Sequence, residues 1–558
     1  MTQYTIGLDY GTNSVRALLV QVQTGEEIAA SVFGYPHGNA GIMLDAQNPD
    51  LARQHPQDYL DGAAAVMLDV LSQAATLPGF THAQVIGLGV DTTGSTPIPV
   101  NAEGTPLALT PEFAETMAAM AYLWKDHTSH AEAGEITALA AKLRPQYLAK
   151  CGGTYSAEWF WAKLLRCLRA NPEVFAAAHT WVEHADWLPA ALCDSTHPAQ
   201  LKRGICAAGH KGLFHQSWGG YPDEEFLAQL DPQLVRVRRT LPETAATVGQ
   251  AAGTLSAAWA ARTGLPAGVP VSIGAFDAHL GGIGAGIAPG ALVKIIGTST
   301  CDLMVAPLAQ ALPDIPGLCG IVPESILPGF YGLEAGQSAV GDIFNWFVNS
   351  VQPAGLGHVE LTAQASTMRP GESGLLALEW HNGNRTVLVD QRLTGGVIGL
   401  TLQTTPAELY RAWVEATAFG ARVIMERFKE YGMPVERIIN CGGISAKNPM
   451  VMQIYADIMG RPLSISRSTQ TCALGAAICG AVTAGAYPTF AEATAHMTGV
   501  QDTVFTPISE NTEIYSRLYA LYRQLHDAFG TTGTQSLADV MKELLNIRDE
   551  VRRGVVHA

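Results

Sequence analysis

Two stretches with the same layout, about half a chain apart, constrain this sequence most. In the first, Tyr4 to Leu8 is apolar and extended, and Asp9 ends it. Gly11, Thr12, Asn13 and Ser14 make a turn, and Ala17 to Val22 resumes the strand. In the second, Ala291 to Ile296 runs into Gly297, Thr298, Ser299 and Thr300, and Asp302 to Val305 resumes. A strand–turn–strand unit that recurs once predicts an internal duplication with one copy per domain. Length agrees, because 558 residues exceed what one hydrophobic core holds.

The stretches Pro266 to Pro270 and Gly281 to Gly290 lie between the two units and place the boundary near Gly286. The expected domains are therefore 1–285 and 286–530, followed by a tail, 531–558. A helix is predicted from Pro56 to Ala75, with Tyr59, Ala63, Val66, Met67 and Val70 on one face. Val85 to Val90 reads as a strand ending at Asp91, and Arg437 to Asn440 as another. Thr405-Pro406-Ala407-Glu408 is a helix start: a capping threonine, proline at the first position and glutamate three residues after the cap. Leu409, Trp413, Ala416 and Phe419 form its expected buried face. Ser536 to Arg553 reads as a closing helix.

Composition excludes several function classes. The formal net charge of -16 repels nucleic acid and anionic membrane surfaces, and no local basic patch offsets it. No run of about 18 apolar residues marks a membrane span; Ala473 to Ala486 comes closest. Nine scattered cysteines without a CxxC predict reduced thiols and a cytoplasmic protein, and the first residues carry no secretion signal.

Three constellations carry chemistry. Gly7-Leu8-Asp9-Tyr10-Gly11-Thr12-Asn13-Ser14-Val15-Arg16 puts a carboxylate beside a turn rich in backbone N–H groups and hydroxyls. That arrangement suits a metal-bound nucleotide, with Asp9 toward Mg²⁺ through water, although an ordinary hairpin has the same residue types. Gly297-Thr298-Ser299-Thr300 is a second hydroxyl-rich turn; the pair can close on one triphosphate. Asn440-Cys441-Gly442-Gly443-Ile444-Ser445-Ala446-Lys447-Asn448 has paired glycines that permit close approach of an adenosine, or simply a tight strand-to-helix turn.

In order and spacing the three resemble the phosphate-1, phosphate-2 and adenosine motifs of the actin-like ATPase superfamily, in its FGGY carbohydrate kinase branch. Longer strings strengthen the resemblance: Gly89-Val90-Asp91-Thr92-Thr93-Gly94-Ser95-Thr96-Pro97, Trp124-Lys125-Asp126-His127-Thr128, Ala208-Gly209-His210-Lys211, Gly274-Ala275-Phe276-Asp277-Ala278-His279 and Gly332-Leu333-Glu334-Ala335-Gly336-Gln337-Ser338. The likeness runs from Tyr4 to about Tyr522. It implies an α/β protein of two RNase H-like domains (actin/hexokinase superfamily), each a mixed five-stranded sheet with helices on both faces, around an interdomain cleft. The sugar is expected chiefly on the N-terminal domain and ATP mainly on the C-terminal one.

The implied reaction is phosphorylation of a ketopentose by ATP with Mg²⁺. L-ribulose going to L-ribulose 5-phosphate in arabinose breakdown is the first expectation; D-ribulose, ribitol and xylulose are alternatives. A non-kinase actin-like ATPase would need no sugar-dependent proton acceptor. The resemblance casts Asp277 as the carboxylate that accepts the acceptor hydroxyl's proton; read without it, Asp277 is a helix cap. Lys211 and Glu334 match sugar-binding positions, against readings as a surface lysine and a helix-start charge. Gly94 leaves room where a sugar loop passes, and Trp124 forms an apolar wall or core. Gly11, Thr12, Asn13, Ser14 and Arg16 serve the first phosphate motif, and Gly297, Thr298, Ser299 and Thr300 the second. Gly442, Gly443 and Asn448 are adenosine contacts. His127, His210 and His279 lack metal-ligand spacing and read as satisfied structural histidines. Trp159, Trp161 and Lys163 read as packing. The expected partners are the sugar and ATP, with no nucleic acid or membrane; a homodimer is left open.

Overall fold

The structure, a computed structural model, describes residues 2–351, 355–532, 537 and 542. Apart from Leu537 and Lys542, the closing helix expected over 536–553 lies outside the described residues.

The first half builds one sheet from β1 (Tyr4–Tyr10), β2 (Ser14–Gln21), β3 (Glu27–Gly34), β4 (Val85–Thr92), β5 (Ala251–Thr254), β6 (Pro270–Ser272) and β7 (Ala275–Phe276). Its order is β3-β2-β1-β4-β6-β5, with β7 also on β4. The second half repeats the pattern with β8 (Ala291–Ile296), β9 (Thr300–Pro307), β10 (Gly320–Pro323), β11 (Phe330–Ala335), β12 (Arg437–Cys441), β13 (Leu463–Ser466) and β14 (Val500–Phe505). The order there is β10-β11-β9-β8-β12-β13-β14. Strand directions correspond too. The opening hairpin is antiparallel (β1–β2, β8–β9), and the next two strands run parallel to the first (β4 and β6, β12 and β13). Each sheet thus has seven strands, not five. The five expected strands recur in both halves. The extra ones are a final antiparallel strand in each half (β5, β14), the short β7 on β4, and β10 beyond β11.

Of the helices, four position the site: α1 (Pro56–Ala74), α2 (Ile205–Lys211), α3 (Asp277–Gly284) and α4 (Pro406–Glu430). A fifth, α5 (Thr471–Thr483), ties the halves together. α1 begins at Pro56 and buries Tyr59, Ala63, Val66, Met67 and Val70, as its spacing predicts. α4 opens with the expected capping box: Glu408 N–H donates to Thr405 Oγ1 at 3.3 Å, and Thr405 N–H to Glu408 Oε2 at 2.7 Å. It buries Trp413, Ala416 and Phe419 and leaves Leu409 half-buried. A further helix, Ser509–Gly530, packs Tyr515, Tyr519 and Tyr522 into the core with α4.

The most apolar stretch of the sequence becomes α5, which is buried because it crosses into the other half. It lies on β1, β2, β4 and β6 of the first sheet. Reciprocally, α3 leaves the first half and packs against β8 and β9 of the second. Where the two helices cross, a Cβ on Gly475 would come 1.8 Å from Leu280 O, and one on Gly284 2.0 Å from Thr471 O. Beneath α5, a Cβ on Gly7 or Gly89 would lie 1.8 Å from Ala473 O or Ala476 O. Glycine is required at these positions because backbone meets backbone. No described helix is long and apolar enough to cross a membrane.

Candidate active site

β1 and β4 are parallel neighbours, and their register sets Asp9 beside Asp91. β7 pairs with β4 and delivers Asp277 to the first turn of α3. Three carboxylates therefore meet at one edge of the first sheet. Asp91 is fully buried, and neither of its oxygens has a hydrogen-bond partner among the described residues. Burial, then the charges of Asp9 and Asp277, push its carboxyl well above the usual range. Asp9 is also raised by burial, held back by Asp91 and by Arg16, whose Nη1 lies 3.5 Å from Asp9 Oδ2. Asp277 is half-buried and raised to about 7, by burial first and by Asp9 second. Its Oδ1 also accepts from Ala278 N–H at 2.7 Å, but the cap position falls to Phe276 and Asp277 is the first helical residue, so the helix-cap reading does not hold.

A buried acid with a raised folded-state value favours the neutral form in the fold. That stabilisation is present at low pH and is lost as pH rises past the unfolded value. Asp91→Asn is therefore expected to melt higher than wild type at pH 8 and at the same temperature near pH 4. The gain is roughly 2–4 °C per kcal/mol for domains of this size. Equal melting temperatures at both pH values would show that Asp91 is not held against its charge.

The second sheet contributes from the matching edge, where β8, β11 and β12 end. Glu334, near the end of β11, reaches Lys211 at the end of α2; Lys211 Nζ is 3.4 Å from each carboxylate oxygen. Both residues are buried, so this ion pair joins the two halves. The sugar-binding positions implied by the resemblance thus straddle the cleft; they do not sit on the N-terminal half alone. Burial would lower the Lys211 ammonium, but Glu334, together with Cys319 and Glu158, outweighs it and leaves it raised. Burial would raise the Glu334 carboxyl, but Lys211, ahead of His210 and His279, holds it well below the usual range.

The first turn is braced. Gly11 N–H donates to Ser14 O at 2.9 Å, Asn13 Nδ2 to Ala40 O at 2.6 Å, and Trp124 Nε1 to Thr12 Oγ1 at 3.0 Å. Trp124 therefore anchors this first turn. Gly94 does not leave an open space: a Cβ there would stand 1.8 Å from the Phe276 ring, beside Asp277. Lys163 is not mere packing. Its buried ammonium donates to Ser95 O at 2.8 Å and Leu123 O at 2.9 Å, and burial lowers it to about 8.

In the second turn Thr298 is exposed, whereas Thr300 is buried and its Oγ1 accepts from Gln337 N–H at 2.9 Å. The Thr300 hydroxyl serves the fold, because the strand begins there and turns it inward. Gly442 has φ +94° and packs against Ile296 O, while Gly443 is open. Asn448 caps the next helix through Oδ1, which accepts from Val451 N–H at 3.2 Å, and its Nδ2 donates to Thr362 Oγ1 at 3.3 Å.

Two groupings went unseen in the sequence. Asp91 ends a strand, the same signal that marks Asp9, and stands in the Gly89-to-Pro97 string, yet neither feature by itself groups it with Asp9 and Asp277. His210 and His279 are 69 residues apart and meet around Glu334, for which no sequence spacing gives a clue.

With this geometry in place, comparisons identify the family. Residues 4–284 match the N-terminal domain of the FGGY family of carbohydrate kinases, and residues 292–484 its C-terminal domain. A ribulokinase of Vibrio parahaemolyticus is 43% identical over 545 residues, covering 94% of this chain and 95% of that one. A ribulokinase of Shouchella clausii is 40% identical over 581 residues and covers all of both chains. Among solved structures, a ligand-bound xylulose kinase from Lactobacillus acidophilus superposes with a TM-score of 0.78 at 20% identity, covering 95% of this chain and 99% of that one. A xylulose kinase from Rhodospirillum rubrum gives 0.77 at 23%, covering 94% and 99%. The latter two share the fold. From both halves of the chain and from its full-length relatives, it follows that the protein belongs to the FGGY family of carbohydrate kinases.

Proposed function

We propose that the protein transfers the γ-phosphoryl group of ATP to the terminal hydroxyl of L-ribulose, giving ADP and L-ribulose 5-phosphate, a step in arabinose breakdown. The observation that carries the site assignment is the place of Asp277: a half-buried carboxyl raised to about 7, between Asp9 and the Lys211–Glu334 pair. The hydroxyl oxygen forms the new bond to phosphorus as the bond to the bridging oxygen of ADP breaks. Asp277 takes the hydroxyl proton.

Lys211 offers donors and Glu334 acceptors to the remaining hydroxyls. They now satisfy each other, and sugar hydroxyls would come between them. Thr298, Gly443 and the braced turn at Gly11 to Ser14 would hold the nucleotide. Carboxylate oxygens suit a hard divalent cation, so Asp9, with Asp91 behind it, would hold Mg²⁺. Mg²⁺ neutralises phosphate charge during transfer.

ADP release measured across L-ribulose, D-ribulose, ribitol and xylulose is expected to give the highest kcat/KM for L-ribulose. ATP hydrolysis at an equal rate without sugar would remove the kinase reading. Because Asp277 must be ionised to accept a proton, kcat/KM is expected to rise with pH through about 7 and then level. With Asp9 neutralised by a bound cation the rise moves to lower pH. A profile that falls across this range would contradict a carboxylate base.

A further inference from the structure

Around Glu334 the fold collects more than the sugar reading uses. His210, at the end of α2, and His279, in the first turn of α3, are both buried, as is Glu334. His210 Nδ1 lies 3.3 Å from Glu334 Oε2, and His279 Nε2 lies 3.6 Å from the same oxygen. Nδ1 of each imidazole has no hydrogen-bond partner among the described residues, while His210 Nε2 lies 2.9 Å from Ser325 Oγ and 3.2 Å from His279 Nε2. The three side chains can each present one ligand atom with all of them within 4.8 Å of one another. Satisfied structural histidines would not leave buried nitrogens in this state.

The spacing matches a metal polyhedron. For bonds of about 2.0–2.1 Å, the edge of a tetrahedron around zinc is about 3.3 Å. The two nitrogen-to-carboxylate separations fall close to that edge. Burial, with His279 beside it, keeps His210 well below the usual imidazole range, and burial lowers His279 to about 4; both rings are therefore neutral and carry a lone pair. The carboxylate is ionised.

We propose that His210, His279 and Glu334 form a binding site for a zinc-class divalent cation, and that a cation held there excludes the sugar. The inference rests on the reading of Glu334 as a sugar ligand. Two imidazoles and one carboxylate leave a fourth position open and favour Zn²⁺, Co²⁺ or Ni²⁺ over Mg²⁺, which prefers oxygen. The Mg²⁺ that accompanies ATP therefore does not fill the site. A cation on Glu334 takes the carboxylate from Lys211 and repels the ammonium 3.4 Å away, so both sugar ligands are lost together. Inhibition is competitive with the sugar and not with ATP.

Co²⁺ added to the metal-free protein tests the site without any turnover. Binding is expected to produce the intense visible absorption of four-coordinate cobalt, and Zn²⁺ is expected to displace it. His210→Gln and His279→Gln, each with a melting curve to verify folding, are expected to weaken cobalt binding by roughly 100-fold. In the ATP assay with excess Mg²⁺, Zn²⁺ is expected to raise the KM for L-ribulose and leave kcat and the KM for ATP unchanged. Cobalt that does not bind, or binds equally to the folded variants, overturns the proposal. Cobalt bound at the histidines while Zn²⁺ leaves the sugar KM unchanged overturns the sugar exclusion and, with it, the placing of Glu334 among the sugar ligands. Failure of phosphoryl transfer itself would show in metal-free controls with Mg²⁺ alone, so the two readings fail separately.

Discussion

Asp277→Asn is expected to lower kcat by about a thousand-fold or more while ATP still binds. Asparagine keeps the shape of the side chain and loses the capacity to accept a proton. It also removes a negative charge that helps push the buried Asp91 carboxyl up. The variant should therefore bind ATP as tightly as wild type or more so, and isothermal titration of ATP against folded protein would read this directly. The Lys211–Glu334 pair is untouched by the substitution. Near-normal ADP release by the variant would remove Asp277 as the base. Loss of ATP binding along with turnover would show that the residue holds the nucleotide.

The second large effect is on stability. Lys294 and Asp302 face each other across the β8–β9 hairpin, both with fully buried side chains, and Lys294 Nζ is 2.6 Å from each carboxylate oxygen. Lys294→Met leaves a carboxylate in the core without its partner and is expected to cost about 3–5 kcal/mol. The measurement is the midpoint of urea unfolding. Lys294→Met combined with Asp302→Leu should recover most of the loss, because an apolar pair of similar size carries no desolvation penalty. If the single substitution is neutral, the pair is not the brace of the β8–β9 hairpin that its position implies. An equally unstable double variant would show that packing at the two positions, and not the charge, is what matters.

Much of the architecture was readable because local physics set it. The capping box at Thr405 and Glu408, the proline start of α1 and the apolar strands ending in Asp9 and at Gly297 depend on neighbours in sequence. The duplicated hairpins led to two sheets of the same strand order. What escaped depends on distance along the chain. Short edge strands such as β7 and β10 have no periodicity of their own and exist because a sheet edge is nearby. Thr300 and Asn448 have the right residue type for ligand contacts, yet strand register turns one inward and a helix start claims the other. Gly94 is glycine because of an aromatic ring 182 residues later. Asp277 was identified through resemblance. Alone, its sequence context describes a cap, whereas the cap position falls to Phe276 and, among the described residues, the Asp277 carboxylate bonds only the N–H of the next residue.

The exchange of α3 and α5 bears on how the chain must be assembled. Each half leaves one face of its sheet to be covered by a helix that the other half supplies. A polypeptide cut near Gly286 would give two fragments with complete strand sets, yet each would present a bare apolar surface. Neither fragment should be soluble alone. Produced together they should dock through the reciprocal helices and regain ATP- and sugar-dependent turnover, so the natural crossover could serve as a two-part reporter whose signal appears only when the fragments meet.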